Sequence, residues 1–203
     1  MAFKGIAIMT TFLCIVMFIV QTLVPGFTES LLLNKSSLVQ PWRFITAIFL
    51  HGGLSHLLYN SFALALFGSM LEAWIGPRRF VSVFLLTGIS ANFISLPFYD
   101  SALGASGAIF GVIGALIMIR PSMMVFAFGL PMPLFLAGSL WIIGDLIGLF
   151  IPSNVANLAH LGGIFFGFLF GAYYRKYIPQ KPNRSNVHLD EDYIRAWEDR
   201  NLN

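Results

Sequence analysis

A chain of 203 residues that is 57% hydrophobic and 10% charged is not an ordinary soluble domain, in which roughly a quarter of residues carry charge. A mean hydropathy of +0.79, with 21 Phe, 19 Gly and 8 Met, places it among integral membrane proteins. The net charge of +3 is spread over loops with no basic block of the nucleic-acid-binding kind, and a single cysteine, Cys14, excludes an intrachain disulfide.

Crossing the hydrocarbon core takes about 20 apolar residues. Residues 5–23 are uncharged and are expected to form the first span. With no small-residue cleavage site behind it, this run reads as a retained helix and not a signal peptide. Residues 24–53 form a long connection holding Pro25, Gly26, Glu29, Lys35, Pro41 and Arg43. Its apolar pieces suit a loop lying on or partly in the interface, with Trp42 as an anchor. Further spans are expected at about 54–74, 80–98, 104–119, 133–150 and 155–174. Gly76-Pro77-Arg78-Arg79, Tyr99-Asp100-Ser101, Arg120-Pro121 and Pro152-Ser153-Asn154 mark the turns between them, and Pro121, Pro131 and Pro133 argue against a regular helix over 121–132. The expected fold is all-α and polytopic: a six-helix membrane domain over 1–176 and a polar tail over 177–203. In the tail, Leu189, Ile194 and Trp197 have the spacing of a short amphipathic helix.

Lys and Arg in short loops set orientation. With the N-terminus in the cytoplasm, Lys4, Arg78, Arg79, Arg120, Arg175 and Lys176 lie inside, and only Lys35 and Arg43 lie outside. Both termini are therefore expected in the cytoplasm. The second, fourth and sixth spans then run from outside to inside. His56, Asn60, Ser106 and His160 all lie near the starts of these spans, so the topology gathers them into one layer of the outer leaflet. Polar groups in a bilayer are costly and face a cavity or one another. His56 and Asn60 share a helix face at i,i+4. Gly107, Gly111 and Gly114 form a small-residue stripe on the fourth span, and His160, Gly163, Gly167 and Gly171 form one on the sixth. Such stripes let backbones approach closely, and facing stripes would bring Ser106 and His160 together.

Serine is a weak nucleophile unless a base takes its proton. Histidine can take that proton and return it to a leaving amine. The Ser106 backbone N–H at a helix N-terminus, the Asn60 amide and a His56 ring N–H are candidate donors to an oxyanion. Together these groups describe peptide or ester hydrolysis. Structural readings stay open beside it. Ser106 can be a packing residue in a Gly-rich helix, His160 an interhelical donor, and His56 and Asn60 helix–helix glue. His51 is off the helical face of His56 and can support the first loop. A zinc site lacks the His–Glu spacing of zincins, so no metal or other cofactor is expected. Asp145 also sits toward the outer side and reads as a structural or cavity-lining residue, with a third catalytic role not excluded by depth. Glu72 reads as a structural acceptor near Arg78 and Arg79.

At these residues the chain resembles the rhomboid intramembrane serine proteases. The resemblance lies in Gly104-Ala105-Ser106-Gly107 running on to Gly111, in His56 to Asn60 with His51 upstream, in Ala159-His160-Leu161-Gly162-Gly163 running on to Gly167, and in Trp42-Arg43 of the first loop. It covers about residues 40–170. It implies a Ser106–His160 dyad, and an oxyanion and substrate-binding site from His56, Asn60 and the Ser106 N–H beside Gly104. His51, Phe110, Gly107 and Gly163 would support that site. Phe110 stands where relatives often have a Tyr packed on the histidine, which keeps the ring and loses the hydroxyl. The substrates implied are single-pass membrane proteins in the lipid bilayer, with no nucleic-acid partner; nothing in the sequence sets an oligomeric state. The alternative is a catalytically silent rhomboid-like protein that binds membrane clients. A solute carrier is a third reading, which would be expected to show internal repeats that this chain lacks.

Overall fold

The computed structural model describes residues 5–151, 155–178 and 191–201. Lys4, the Pro152-Ser153-Asn154 turn and Leu189 lie outside the described residues. Six long helices form the body: α1 (Ile6–Leu23), α4 (Leu54–Ile75), α5 (Pro77–Ser95), α6 (Ser106–Ile119), α7 (Leu134–Gly148) and α8 (Asn157–Arg175). Two short helices, α2 (Phe27–Leu31) and α3 (Arg43–Thr46), lie in the first connection, and α9 (Glu191–Asn201) lies in the tail. By length and composition α1 and α4 are apolar enough to cross a membrane, while α6 and α7 are apolar but shorter.

The centre of the bundle is α6. Gly, Ala, Ile, Val and Leu fill it on every side, and a helix apolar all round belongs in the interior. Ala108, Val112, Ala115 and Leu116 are fully enclosed. Its most extensive contact is with α8, and α5 packs on both. Phe80, Val83 and Phe84 of α5, Leu64 and Leu71 of α4 and Leu134 of α7 complete the core. The outward faces are equally apolar: Phe12, Phe62, Phe93, Ile147 and Phe165 are all exposed. Exposed apolar surface on this scale is what acyl chains cover and water does not.

Within α4 the ladder widens to a π-helical stretch over Leu64–Gly68. Gly68 there lies against Ala7 of α1 and Phe80 of α5, leaving room for little beyond a hydrogen. Residues 121–132, which the prolines argue out of a helix, form a hairpin of β3 (Met124–Ala127) and β4 (Leu130–Pro133), antiparallel with Val125 opposite Met132. Gly129, at φ 80, turns it.

Glu72 differs in its partner from the sequence expectation. It does not reach Arg78 or Arg79 but accepts the Ile6 and Ala7 N–H groups at 3.2 and 2.9 Å. A buried carboxylate thus takes the open donors and positive dipole end of α1, while Arg79 lies over the Tyr174 and Tyr177 rings and Arg120 over Trp74. Hydrogen bonds to a charged acceptor contribute about 1.5–3 kcal/mol. Glu72→Ala should therefore lower the thermal midpoint by about 5 °C, at about 2–4 °C per kcal/mol for this size. An unchanged midpoint in detergent would remove Glu72 from that role.

The first connection is folded, and it bears on the start of α6. Arg43 donates to the carbonyls of Glu29 and Leu32, each at 2.8 Å, and to Gln40. Thr46 donates to Leu31 O, and Asn92 of α5 donates to Phe44 O. Strand β1 (Leu33–Asn34) pairs with β2 (Ser101–Ala102), the segment that leads into α6.

Candidate active site

Ser106 is the first residue of α6, and the chain reaches it through Gly104 at φ 127. The Gly104 N–H donates to Ala47 O at 2.9 Å. A Cβ on Gly104 would stand 2.7 Å from Cε1 and 2.9 Å from Nε2 of His56. Only glycine combines that backbone angle with that proximity, so Gly104 is what seats the entry to α6 against the His56 ring.

The two glycine stripes do face each other. Gly163 meets the Gly107 backbone, Gly167 the Gly111 backbone and Gly171 the Ala115 backbone. Each step of four along α8 matches a step of four along α6, so the helices run parallel in a fixed register. That register sets His160 beside Ser106, with Nε2 2.8 Å from the Ser106 Oγ. The other ring nitrogen, Nδ1, lies 2.9 Å from Oδ1 of Asp145 on α7. Phe110, one helical turn beyond Ser106, stacks on the imidazole with centroids 4.3 Å apart and planes 4° apart. The start of α8 is held by Tyr99, whose hydroxyl accepts the Leu158 N–H at 3.3 Å. Asn157 fills the space against Gly148 of α7.

His56 and Asn60 lie one turn apart on α4. The Gly52 N–H points at His56 Nδ1, 3.4 Å away, which makes Nε2, on the Gly104 side, the donor of the neutral ring. Asn60 is buried, and its Nδ2 has no hydrogen-bond partner among the described residues. A buried amide left open is costly, and this one is a donor available to an incoming carbonyl. His51 is fully buried and packs edge-on to His56 at 5.2 Å. Burial, reinforced by the nearby His56, pushes its pKa down to about 4, so it is a neutral spacer behind His56. Among the described residues no three His, Cys, Asp or Glu side chains come together as a metal cluster.

Two contacts carry weight that sequence reasoning did not assign them. Asp145, read as structural or cavity-lining, bonds directly to His160; its signal was a lone carboxylate in an apolar run. Gln21 clamps the His51 backbone, accepting its N–H at 2.9 Å and donating to its carbonyl at 3.2 Å. Its signal was a lone amide near the end of the first apolar stretch.

An apolar-surfaced helical bundle with a partly buried Ser–His pair near one end defines a class, the polytopic helical membrane proteins. Residues 38–177 match the Rhomboid domain, and the chain belongs to the rhomboid family. It is similar to "Rhomboid protease GluP" of Bacillus subtilis, 39% identical over 136 residues, covering 64% of this chain and 25% of that relative. "Putative rhomboid protease YdcA" of the same organism is 36% identical over 134 residues, covering 63% of this chain and 64% of YdcA. "Rhomboid protein 1, mitochondrial" of Saccharomyces cerevisiae is 30% identical over 168 residues, covering 76% of this chain and 48% of that protein. The chain thus spans between a quarter and just under two thirds of the length of these relatives.

Proposed function

We propose that this protein is an intramembrane serine endopeptidase that hydrolyses peptide bonds in or near the transmembrane segments of single-pass membrane proteins. The observation that carries the reading is the 2.8 Å separation of His160 Nε2 and Ser106 Oγ inside an apolar bundle. The names of the bacterial relatives point the same way.

In the proposed reaction His160 Nε2 takes the Ser106 proton as Oγ attacks the scissile carbonyl. The tetrahedral oxyanion receives hydrogen bonds from the Ser106 N–H, His56 Nε2–H and Asn60 Nδ2. His160 then returns the proton to the leaving amine, and water hydrolyses the acyl-enzyme by the same path. The substrate segment must unwind first, because a helix keeps its carbonyls bonded.

In the bilayer, six helices cross, both termini lie in the cytoplasm and the site faces the outer leaflet. The charges support this orientation: Arg79 and Arg120 cluster with aromatic rings at the end away from Ser106, where positive charge favours the cytoplasm. The 14 residues of α6 span about 21 Å of a core about 30 Å thick. Its N-terminus therefore lies below the membrane boundary, under the folded first connection.

The test is cleavage of a single-span substrate by the purified protein in liposomes, with covalent labelling by a fluorophosphonate. The reading requires cleavage and labelling that both map to Ser106. Cleavage surviving in Ser106→Ala would overturn it. Asn60→Ala and His56→Ala should each reduce kcat by about 10²–10³, as one oxyanion donor does elsewhere, with KM little changed. A pure rise in KM would make them substrate-binding groups only.

A further inference from the structure

We infer that Asp145 is a positioning residue for the proposed hydrolysis, holding the His160 ring of the Ser106–His160 pair in its working tautomer and orientation. The inference rests on the protease reading for its chemistry and on independent geometry for its assignment.

Asp145 is the sole formal charge between residues 121 and 174. It is 7% exposed on an otherwise apolar helix. A carboxylate in such a place is expensive unless paired, and it is paired with His160 Nδ1 at 2.9 Å. An ionised carboxylate only accepts hydrogen bonds. The proton of the neutral imidazole is therefore held on Nδ1, and the Nε2 lone pair is left facing the Ser106 hydroxyl. Without that acceptor the ring can populate the other tautomer, in which Nε2 carries hydrogen and cannot serve as a base. The same carboxylate faces the positive charge that arises on His160 when it takes the serine proton.

The ring is constrained in two directions. Asp145 fixes its rotation within its own plane, and Phe110, stacked at 4.3 Å, fixes the plane itself. The site is built for this approach. Gly148, one turn beyond Asp145, lies so close to the Asn157 side chain that a Cβ would stand 2.7 Å from it, and this draws α7 against the start of α8. A purely structural tie between α7 and α8 would need neither the alignment of Nε2 on Ser106 nor a single tautomer.

The experiment compares wild type, Asp145→Asn, Asp145→Ala and Asp145→Glu in liposomes with a single-span substrate. It measures kcat, KM and the thermal midpoint, and adds the NMR spectrum of wild type labelled with ¹⁵N-histidine. The expected result is a loss in kcat of up to about 10⁴ for Asp145→Asn, the size seen when a triad carboxylate becomes an amide, with KM near wild type. Asp145→Glu should recover part of the loss. The wild-type spectrum should show the His160 ring proton on Nδ1, strongly downfield. Asp145→Asn and Asp145→Ala both within about threefold of wild-type kcat would overturn the inference, since a base left unoriented loses far more. So would a wild-type ring with its proton on Nε2. If the variants fail to fold, the wild-type tautomer decides alone. If wild type does not cleave at all, the protease reading fails, and the tautomer still tests the placement of Asp145.

Discussion

Removing both Ser106 and His160 should cost no more than removing Ser106 alone. Once the nucleophile is gone there is no Oγ proton to accept, so the imidazole has nothing left to do. In a serine protease whose residues act as a unit, loss of either partner is on the order of 10⁶ in kcat, and the losses do not multiply. The geometry here has that dependence: His160 Nε2 faces Ser106 Oγ at 2.8 Å. Ser106→Ala, His160→Ala and the double variant should converge on one low rate, measured on the same single-span substrate in liposomes. What remains should come from the oxyanion donors and from substrate binding, which none of the three variants touches. A double variant slower than Ser106→Ala by the full His160→Ala factor would mean independent roles, and the shared proton transfer would be abandoned. His160→Ala retaining near wild-type turnover would have the same consequence.

The fold was legible where physics is one-dimensional. Apolar runs marked the helices, and prolines marked the break at 121–132, though not the β3–β4 hairpin that fills it, because strand pairing depends on what lies opposite. The starts shifted at α5, which begins at Pro77, because proline suits the first helical turn and the sequence reading treated it only as a turn residue. Among the site residues, the i,i+4 glycine stripes foretold which faces of α6 and α8 could approach. Depth alone brought His56 and Ser106 to one level. The Asp145–His160 contact was not legible, since depth says nothing of which neighbour a side chain turns toward. Nor was Glu72 at α1: its carboxylate answers two open N–H groups more than sixty residues away, a match only the packing of α1 on α4 creates.

The glycine contacts also set the largest effect expected away from the reacting atoms. Gly167→Val should destabilise the protein by about 3 kcal/mol or more, at or above the upper end for an overpacked core. The reason is what the new Cβ would meet. On most helix surfaces it would press on a side chain that can rotate away. Here it meets the Gly111 carbonyl and Cα of α6, and backbone within a helix cannot move without moving the helix. Gly163 and Gly171 lie in the same row against Gly107 and Ala115, so relief at one point tilts the whole pair. At about 2–4 °C per kcal/mol, the midpoint should fall by about 6–12 °C. The displaced α8 also carries His160, two turns toward the site, and a misplacement of about 1 Å at reacting groups costs about 10² in rate. Activity measured below the new midpoint should therefore fall even where the variant is folded, whereas Gly144→Ala, which would meet no other atom within 4 Å and replaces a helical glycine by a better helix former, should lower neither property. A folded Gly167→Val with wild-type midpoint and wild-type turnover would mean that the close approach of α6 and α8 is not what holds His160 to Ser106.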